Sequence, residues 1–224
     1  MRVSVIIPVL DEEPWIARAI ASARGADQVI VVDGGSRDRT REVAGAEGAL
    51  VLDAPRGRGS QLREGARRAS GDWLVFLHAD TRLEAGWAED LALLPPQVVG
   101  GAFRFSLDSR RAGYRALEAV VALRCRLLRL PYGDQGIFAR RRAYETAGGF
   151  SAIPLMEDVE FISRLRRVGP LAFPPVRAHT SPRRWERCGL VGATLRNWWA
   201  LGLYAAGRRP ERLADRYHGR SQEV

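Results

Sequence analysis

His78 and Asp80 are the first residues whose types and spacing suggest chemistry. They follow the apolar run Trp73-Leu74-Val75-Phe76-Leu77, bounded on its other side by Gly71-Asp72, and the run reads as a strand buried on both faces. Side chains two apart on a strand share a face, and ligands of open α/β sheets collect outside the carboxyl ends of the strands. The pair can therefore offer an imidazole and a carboxylate to one divalent ion beside a phosphate-bearing ligand; the alternative is an ordinary strand end with a polar turn. Arg58, between Gly57 and Gly59 and just ahead of a helix, sits where an anion is favoured, although glycine-flanked arginines are common in loops. Glu157-Asp158 opens another helix, where acids complement the helix dipole. Arg183 and Arg184 either clamp an anion or form a solvated face, and Trp185 either stacks on a ligand or packs on the core.

The elements that must position these residues alternate between strand and helix patterns. Val3 to Val9 is a β-branched strand run, and Asp11-Glu12-Glu13-Pro14 reads as the capped start of a helix carrying Ile16, Ala19, Ile20 and Ala23. Gln28 to Val32 is a second strand, Ser36 can cap a helix running to about Ala46, and Ala49 to Leu52 is a third strand. A loop over residues 53–60 leads into a helix to about Ala69 and then the strand before His78. This β-α-β-α-β-α-β order predicts a parallel sheet with right-handed crossovers. The second half is less regular: a strand over Val98 to Leu107 containing Gly100-Gly101, a helix over Tyr114 to Leu130, a turn at residues 131–135 into another strand, and a helix after Glu157 with Ile162, Leu165 and Val168 on its apolar side. Leu190 to Ala206, with Trp198, Trp199 and Tyr204, reads as a helix that packs on its own domain, forms a dimer contact or lies at a membrane interface. Residues 215–224 read as frayed.

The 224-residue chain carries 35 basic residues, every one an arginine, against 26 acidic ones, for a net charge of +9. Such a balance favours anionic partners without choosing among them. The first strand–helix turn lacks the glycines of a dinucleotide fold, and no Gly-Lys-Ser/Thr phosphate loop occurs, which disfavours a dehydrogenase or P-loop NTPase. Cys125 and Cys188 have no metal-like spacing and read as free thiols in a reducing compartment. The N-terminal apolar run is too short for a signal peptide.

Taken in order, Val5-Ile6-Ile7-Pro8-Val9-Leu10-Asp11-Glu12-Glu13, Val29 to Asp38, Gly57-Arg58-Gly59 and Gly71-Asp72 through His78-Ala79-Asp80 resemble the motif series of family-two glycosyltransferases of the GT-A fold. The resemblance implies an α/β, GT-A fold with a mostly parallel central sheet flanked by helices. It places Pro8, Leu10 and Glu12 in the loop bordering the nucleoside, Asp33 on the base or ribose, and Arg58 near the nucleotide. His78 and Asp80 fall at the metal motif, with His179 as a further metal or diphosphate contact. Asp134, Gln135, Glu157, Arg183, Arg184 and Trp185 fall near the donor sugar and acceptor, the arginines as a clamp on the diphosphate and Trp185 as a stacking face for a sugar or a core residue. Glu157-Asp158 matches the pair whose acid is the general base of inverting members, a role carried onto Asp158. Two positions depart from the pattern: Gly34 stands where a second acid is usual, and His78 stands where the metal motif has its first acid. The wording of residues 78–81, 133–136 and 180–185 is similar to a small soluble subfamily linked to arsenosugar biosynthesis.

The expectation is therefore an inverting enzyme that moves a sugar from a nucleotide-diphosphate sugar to a small-molecule or lipid-linked hydroxyl acceptor, with Mn²⁺ or Mg²⁺. Its domain would span residues 1–185, with 1–95 holding the nucleotide and 96–185 the acceptor, followed by a C-terminal helical extension over 186–224. It would be cytoplasmic, with peripheral membrane contact or a homodimer through the C-terminal helix, and no nucleic-acid partner. Two other readings stand beside it: a sugar-nucleotide-forming nucleotidyltransferase, and a non-catalytic basic module for membrane or nucleic acid.

Overall fold

A computed structural model describes residues 1–219. The first half alternates β1 (Val3–Val9), α1 (Glu13–Ser22), β2 (Gln28–Asp33), α2 (Thr40–Ala46), β3 (Leu50–Asp53), α3 (Arg58–Arg68) and β4 (Trp73–Phe76). The second half contains β5 (Thr81–Leu83), α4 (Trp87–Ala92), β6 (Gly100–Ala102), β7 (Arg104–Leu107), α5 (Ala112–Leu128), a 3₁₀ turn at Gly133–Gln135, β8 (Ile137–Arg140), α6 (Arg141–Thr146), α7 (Glu157–Val168), β9 (Leu171–Ala172) and β10 (Arg177–Thr180). Three helices follow: α8 (Arg183–Cys188), α9 (Leu190–Ala205) and α10 (Pro210–Gly219).

Seven strands form one sheet in the order β3-β2-β1-β4-β8-β6-β9, and β5-β10-β7 form a second. The large sheet is parallel except where β8 runs against β4 and β6. All seven residues of β1 and all four of β4 are buried, as continuous apolar runs at the centre of a covered sheet should be. Alternation sorts their side chains. Val5, Ile7, Trp73 and Val75 pack toward Ile16 and Ile20 of α1 and Ala44 of α2. Ile6, Leu74 and Phe76 pack toward Leu62 and Ala66 of α3 and Phe161 and Leu165 of α7.

Several sequence expectations change. The pattern over Val98 to Leu107 is two strands in different sheets, because the chain crosses at fully buried Phe103 between β6 and β7. Asp11 does not cap its own helix: its φ is 53°, its N–H donates to Ser36 Oγ at 2.9 Å, and its Oδ1 accepts from the Arg37 N–H at 2.7 Å. Ser36 is therefore spent on the neighbouring loop, and α2 starts only at Thr40. Glu12, Glu13, Asp38 and Thr40 extend the same cross-loop ladder, so the loops after β1 and β2 form one rigid rim.

Ala193 of α9 packs in a third apolar cluster with Phe105, Leu117, Val121 and Trp185, so α9 docks on the β7–α5 layer, while Leu195, Trp198 and Trp199 stay exposed. Residues 215–219, expected to fray, fall within α10, and residues 220–224 lie outside the described residues. Among the described residues no helix is long and apolar enough to cross a membrane. Cys125 is buried, Cys188 is exposed, and both are free thiols.

The narrowest approach in the sheet is at Gly101, where an added Cβ would lie 1.8 Å from the Ala172 carbonyl oxygen. Gly101→Ala should therefore push β9 off β6 and destabilise the fold by about 1–3 kcal/mol, as overpacking does. Thermal unfolding followed by circular dichroism should show a Tm several degrees lower.

Candidate functional site

A cavity of about 270 Å³ opens at the carboxyl ends of β1 and β4, lined by Pro8, Glu12, Arg58, His78, Asp80, Asp134, Glu157, Asp158, Arg183, Arg184 and Trp185, with Tyr132, Gly133, Thr180, Ser181 and Asn197 among the rest of its wall. Three segments distant in sequence are stitched together to make it. After β4 the chain turns tightly, with the Thr81 N–H donating to the His78 carbonyl at 3.1 Å. The Ser181 N–H donates to the Asp80 carbonyl at 2.9 Å. Thr180 Oγ1 donates to the Asp134 carbonyl at 2.7 Å and so accepts from Thr81 Oγ1 at 2.8 Å.

The charges are paired across this junction. Arg183 donates through Nε to Asp80 Oδ2 at 2.8 Å, and its two Nη atoms fork onto Glu12 at 2.8 and 2.6 Å. Such bidentate, charge-assisted contacts are directional as well as strong. Arg58 Nη1 donates to Glu157 Oε1 at 2.9 Å, and Glu157 is only 2% exposed. Burial raises the Glu157 pKa, and Arg58 opposes that rise. Asp158, in the first turn of α7, accepts the Gly133 N–H on Oδ2 at 2.7 Å. A Cβ at Gly133 would lie 2.7 Å from His78 Nε2 and 3.5 Å from Asp158 Oδ2, so the glycine lets imidazole and carboxylate close on either side of one backbone position. Burial, then the positive charges of Arg58, Arg183 and Arg184, hold the His78 pKa well below its ordinary value, leaving a neutral imidazole.

Four residues expected in the site lie off the wall of this cavity. Asp33 does not line the cavity; its carboxylate is 1% exposed and accepts the N–H groups of Gly35 and Ser36, the Ser36 hydroxyl and Arg41. Leu10 also lies off the cavity wall. Gln135 is 2% exposed and pins the 3₁₀ turn, accepting from Arg124 at 3.0 Å and the Tyr132 N–H at 3.2 Å while donating to the Phe103 carbonyl at 3.2 Å. His179 is off the main cavity wall and lines a second depression on the other side of the same turn, with Asp80, Thr81, Arg82, Asp108 and Trp15. Accordingly, among the described residues no three His, Cys, Asp or Glu side chains converge as a metal-ligand set. Trp185 does reach the cavity, but its ring packs against Phe105 at 5.8 Å.

Gln61 went unread in the sequence because nothing in helical periodicity marks it. Its Nε2 donates to the carbonyls of Val9 and Val32, both at 2.8 Å, tying the ends of β1 and β2 together. A Cβ at Gly34 would sit 3.1 Å from that same Nε2, which accounts for a glycine where a second acid was expected.

Residues 4–148 match the model of glycosyl transferase family 2. The chain belongs to that family. Among curated proteins, this family 2 glycosyltransferase is 34% identical over 101 residues, 45% of each chain, to an uncharacterised glycosyltransferase of Mycobacterium tuberculosis. It is 27% identical over 242 aligned positions, 95% of this chain and 49% of the relative, to the pre-mycofactocin glycosyltransferase of that organism. The chain thus spans about half the length of the curated relatives it matches. Among solved structures it is similar to glucosyl-3-phosphoglycerate synthase from M. tuberculosis in complex with Mn²⁺, UDP and product, at a TM-score of 0.55 and 25% identity over 80% of this chain and 71% of the other. S. aureus TarS matches at a TM-score of 0.62 and 16% identity over 82% and 61% of the chains, a likeness of fold alone. The fold is that of GT-A glycosyltransferases.

Asp134 is the titratable group that pH should reveal most clearly. Burial, reinforced by Asp158 and Asp80 and opposed by Arg124, raises its pKa to about 6. The folded protein holds this proton more tightly than the unfolded chain, so the associated stability is complete below about pH 4 and lost as pH rises through about 6. Asp134→Asn should therefore be more stable than the parent at pH 8 by about 1–3 kcal/mol, with the difference closing near pH 3.5. Denaturant unfolding at the two pH values measures it.

Proposed function

We propose that this chain is an inverting glycosyltransferase that moves a sugar from a nucleotide-diphosphate sugar onto the hydroxyl of a small acceptor with help from a divalent cation. The observation that carries the reading is the presence of Asp158, Asp80, His78, Arg58 and Arg183 on one cavity wall at the carboxyl ends of β1 and β4. Relatives in the same family and a structural neighbour whose complex holds Mn²⁺, UDP and a glucosylated small acid support it. The similarity of residues 78–81, 133–136 and 180–185 to the subfamily linked to arsenosugar biosynthesis favours a small acceptor. In this reading residues 1–95 serve the donor and 96–185 the acceptor, with 186–224 as a helical extension.

Asp158 is the general base. Its Oδ2 is held by the Gly133 N–H, which fixes the carboxylate while leaving lone pairs for an incoming hydroxyl proton. The acceptor oxygen, losing that proton, forms a bond to the anomeric carbon as the bond to the diphosphate oxygen breaks on the opposite face. One displacement inverts the configuration. Arg58 and Arg183 supply fixed positive charge where negative charge grows on the leaving diphosphate.

A hard carboxylate and a neutral imidazole suit Mn²⁺ or Mg²⁺ when substrate phosphates and water complete the shell, so Asp80 and His78 are the residues that would hold the cation. Arg183 already rests a positive charge on Asp80, evidence that this carboxylate sits where a cation is favoured. A bound divalent ion would offset charge on the departing diphosphate.

Thermal unfolding against UDP-, GDP- and dTDP-sugars, each with and without Mn²⁺, tests the reading. A ligand at 100 times its Kd should stabilise the parent by about 2.7 kcal/mol, and Asp80→Ala should lose the metal-dependent part; no shift with any donor would sink the proposal. Asp158→Asn should keep the donor shift while turnover falls roughly 10²–10⁴-fold, whereas retained turnover would remove Asp158 as base. Because Arg183 and the cation share one carboxylate, Arg183→Gln should bind Mn²⁺ several-fold more tightly in the absence of nucleotide, as read by calorimetric titration.

A further inference from the structure

The cavity holds five carboxylates, Glu12, Asp80, Asp134, Glu157 and Asp158, against the guanidiniums of Arg58, Arg183 and Arg184, a formal balance of −2 with His78 neutral. Four of the carboxylates are engaged: Glu12 and Asp80 by Arg183, Glu157 by Arg58, and Asp158 by the Gly133 N–H. Asp134 differs. Its Oδ1 is buried and, among the described residues, has no hydrogen-bond partner. The same is true of Trp185 Nε1, on a side chain only 6% exposed.

Both groups are held in place. The Asp134 backbone is tied down by Thr180 at 2.7 Å, and the Trp185 ring is braced by Phe105. Both also line a narrow cleft that continues from the main cavity between α5 and α9, walled by Leu117, Val121 and Trp198. Leaving a buried acceptor and a buried donor unsatisfied costs roughly 1–3 kcal/mol each. Two such atoms of opposite hydrogen-bonding sense, buried on side chains that line one cavity, suit a group that both donates and accepts.

We propose that Asp134 and Trp185 form an acceptor subsite for a neutral polyol, a further reading that rests on sugar transfer at Asp158. One hydroxyl of the acceptor is glycosylated at Asp158. A second is read by the pair, donating to Asp134 Oδ1 and taking the Trp185 indole N–H. A hydroxyl can do both at once, whereas a phosphate or carboxylate has no proton for Asp134. The net negative balance of the wall and the charge of the donor diphosphate also oppose an anionic acceptor. Trp185 thus acts through its edge, not by stacking its face on a sugar.

The test is the ¹⁵N–¹H indole signal of Trp185, identified by its absence in Trp185→Phe, during titration with myo-inositol or methyl α-glucoside and, separately, with 3-phosphoglycerate, each with and without UDP and Mn²⁺. The polyol should move the signal and 3-phosphoglycerate should not. Asp134→Ala should weaken the polyol response at least tenfold while keeping the cooperative thermal unfolding of the parent. A signal unmoved by either polyol, or moved by 3-phosphoglycerate instead, overturns the subsite. The thermal shift on the same samples separates the two readings: its loss in the parent counts against sugar transfer, whereas an unmoved indole beside an intact donor shift removes only the polyol subsite.

Discussion

Five carboxylates on the wall of a cavity of about 270 Å³ repel one another, and much of the surrounding structure answers that repulsion. At separations of a few ångströms, partly removed from water, like charges interact by several kcal/mol. Two arginines far apart in the chain and two backbone N–H groups neutralise or hydrogen-bond four of the acids. The fold's task is to deliver those partners. Parallel pairing of β1 with β4 sets Glu12 and the His78–Asp80 turn side by side, α3 brings Arg58, and the junction of β10 with α8 brings Arg183. The glycine at 133 then lets α7 approach closely enough for Asp158 to share the same wall.

The parts of this arrangement that were legible in the sequence are those fixed by local pattern. Trp73 to Leu77 announces a doubly buried strand because no polar residue interrupts it, and the polar residues after it must emerge at the sheet's carboxyl edge. The ordered motifs located Asp80, Arg58 and Asp158 for a similar reason, since each lies at an element boundary that the sequence marks. What local pattern cannot carry is partnership. Asp11 and Ser36 look like two independent helix caps, yet they bond to each other's loops across 25 residues. Asp33 resembles a nucleotide contact by position, and nothing local announces that its carboxylate also organises its own turn.

The strand break at Phe103 was hidden because both halves of Val98 to Leu107 have strand composition; the change of sheet is decided by what lies on either side, β8 for one half and β10 for the other. Gln135 and His179 lie off the main cavity wall, which the same limitation hides. A polar residue in the right segment can face the cavity or the packing behind it, and one step along a strand or turn decides which. Trp185 packs its ring on Phe105 and still lines the cavity, a placement between the two read as alternatives.

The span between Glu12 and Arg183 has a consequence for the order in which the molecule matures. The segment from β1 to the turn after β4 carries Glu12 and Asp80 and is synthesised before Arg183. The guanidinium that joins the two carboxylates reaches back 171 residues to Glu12 and 103 to Asp80. Docking of the segment at β10 and α8 is thus written into the site as the arrival of a single positive charge.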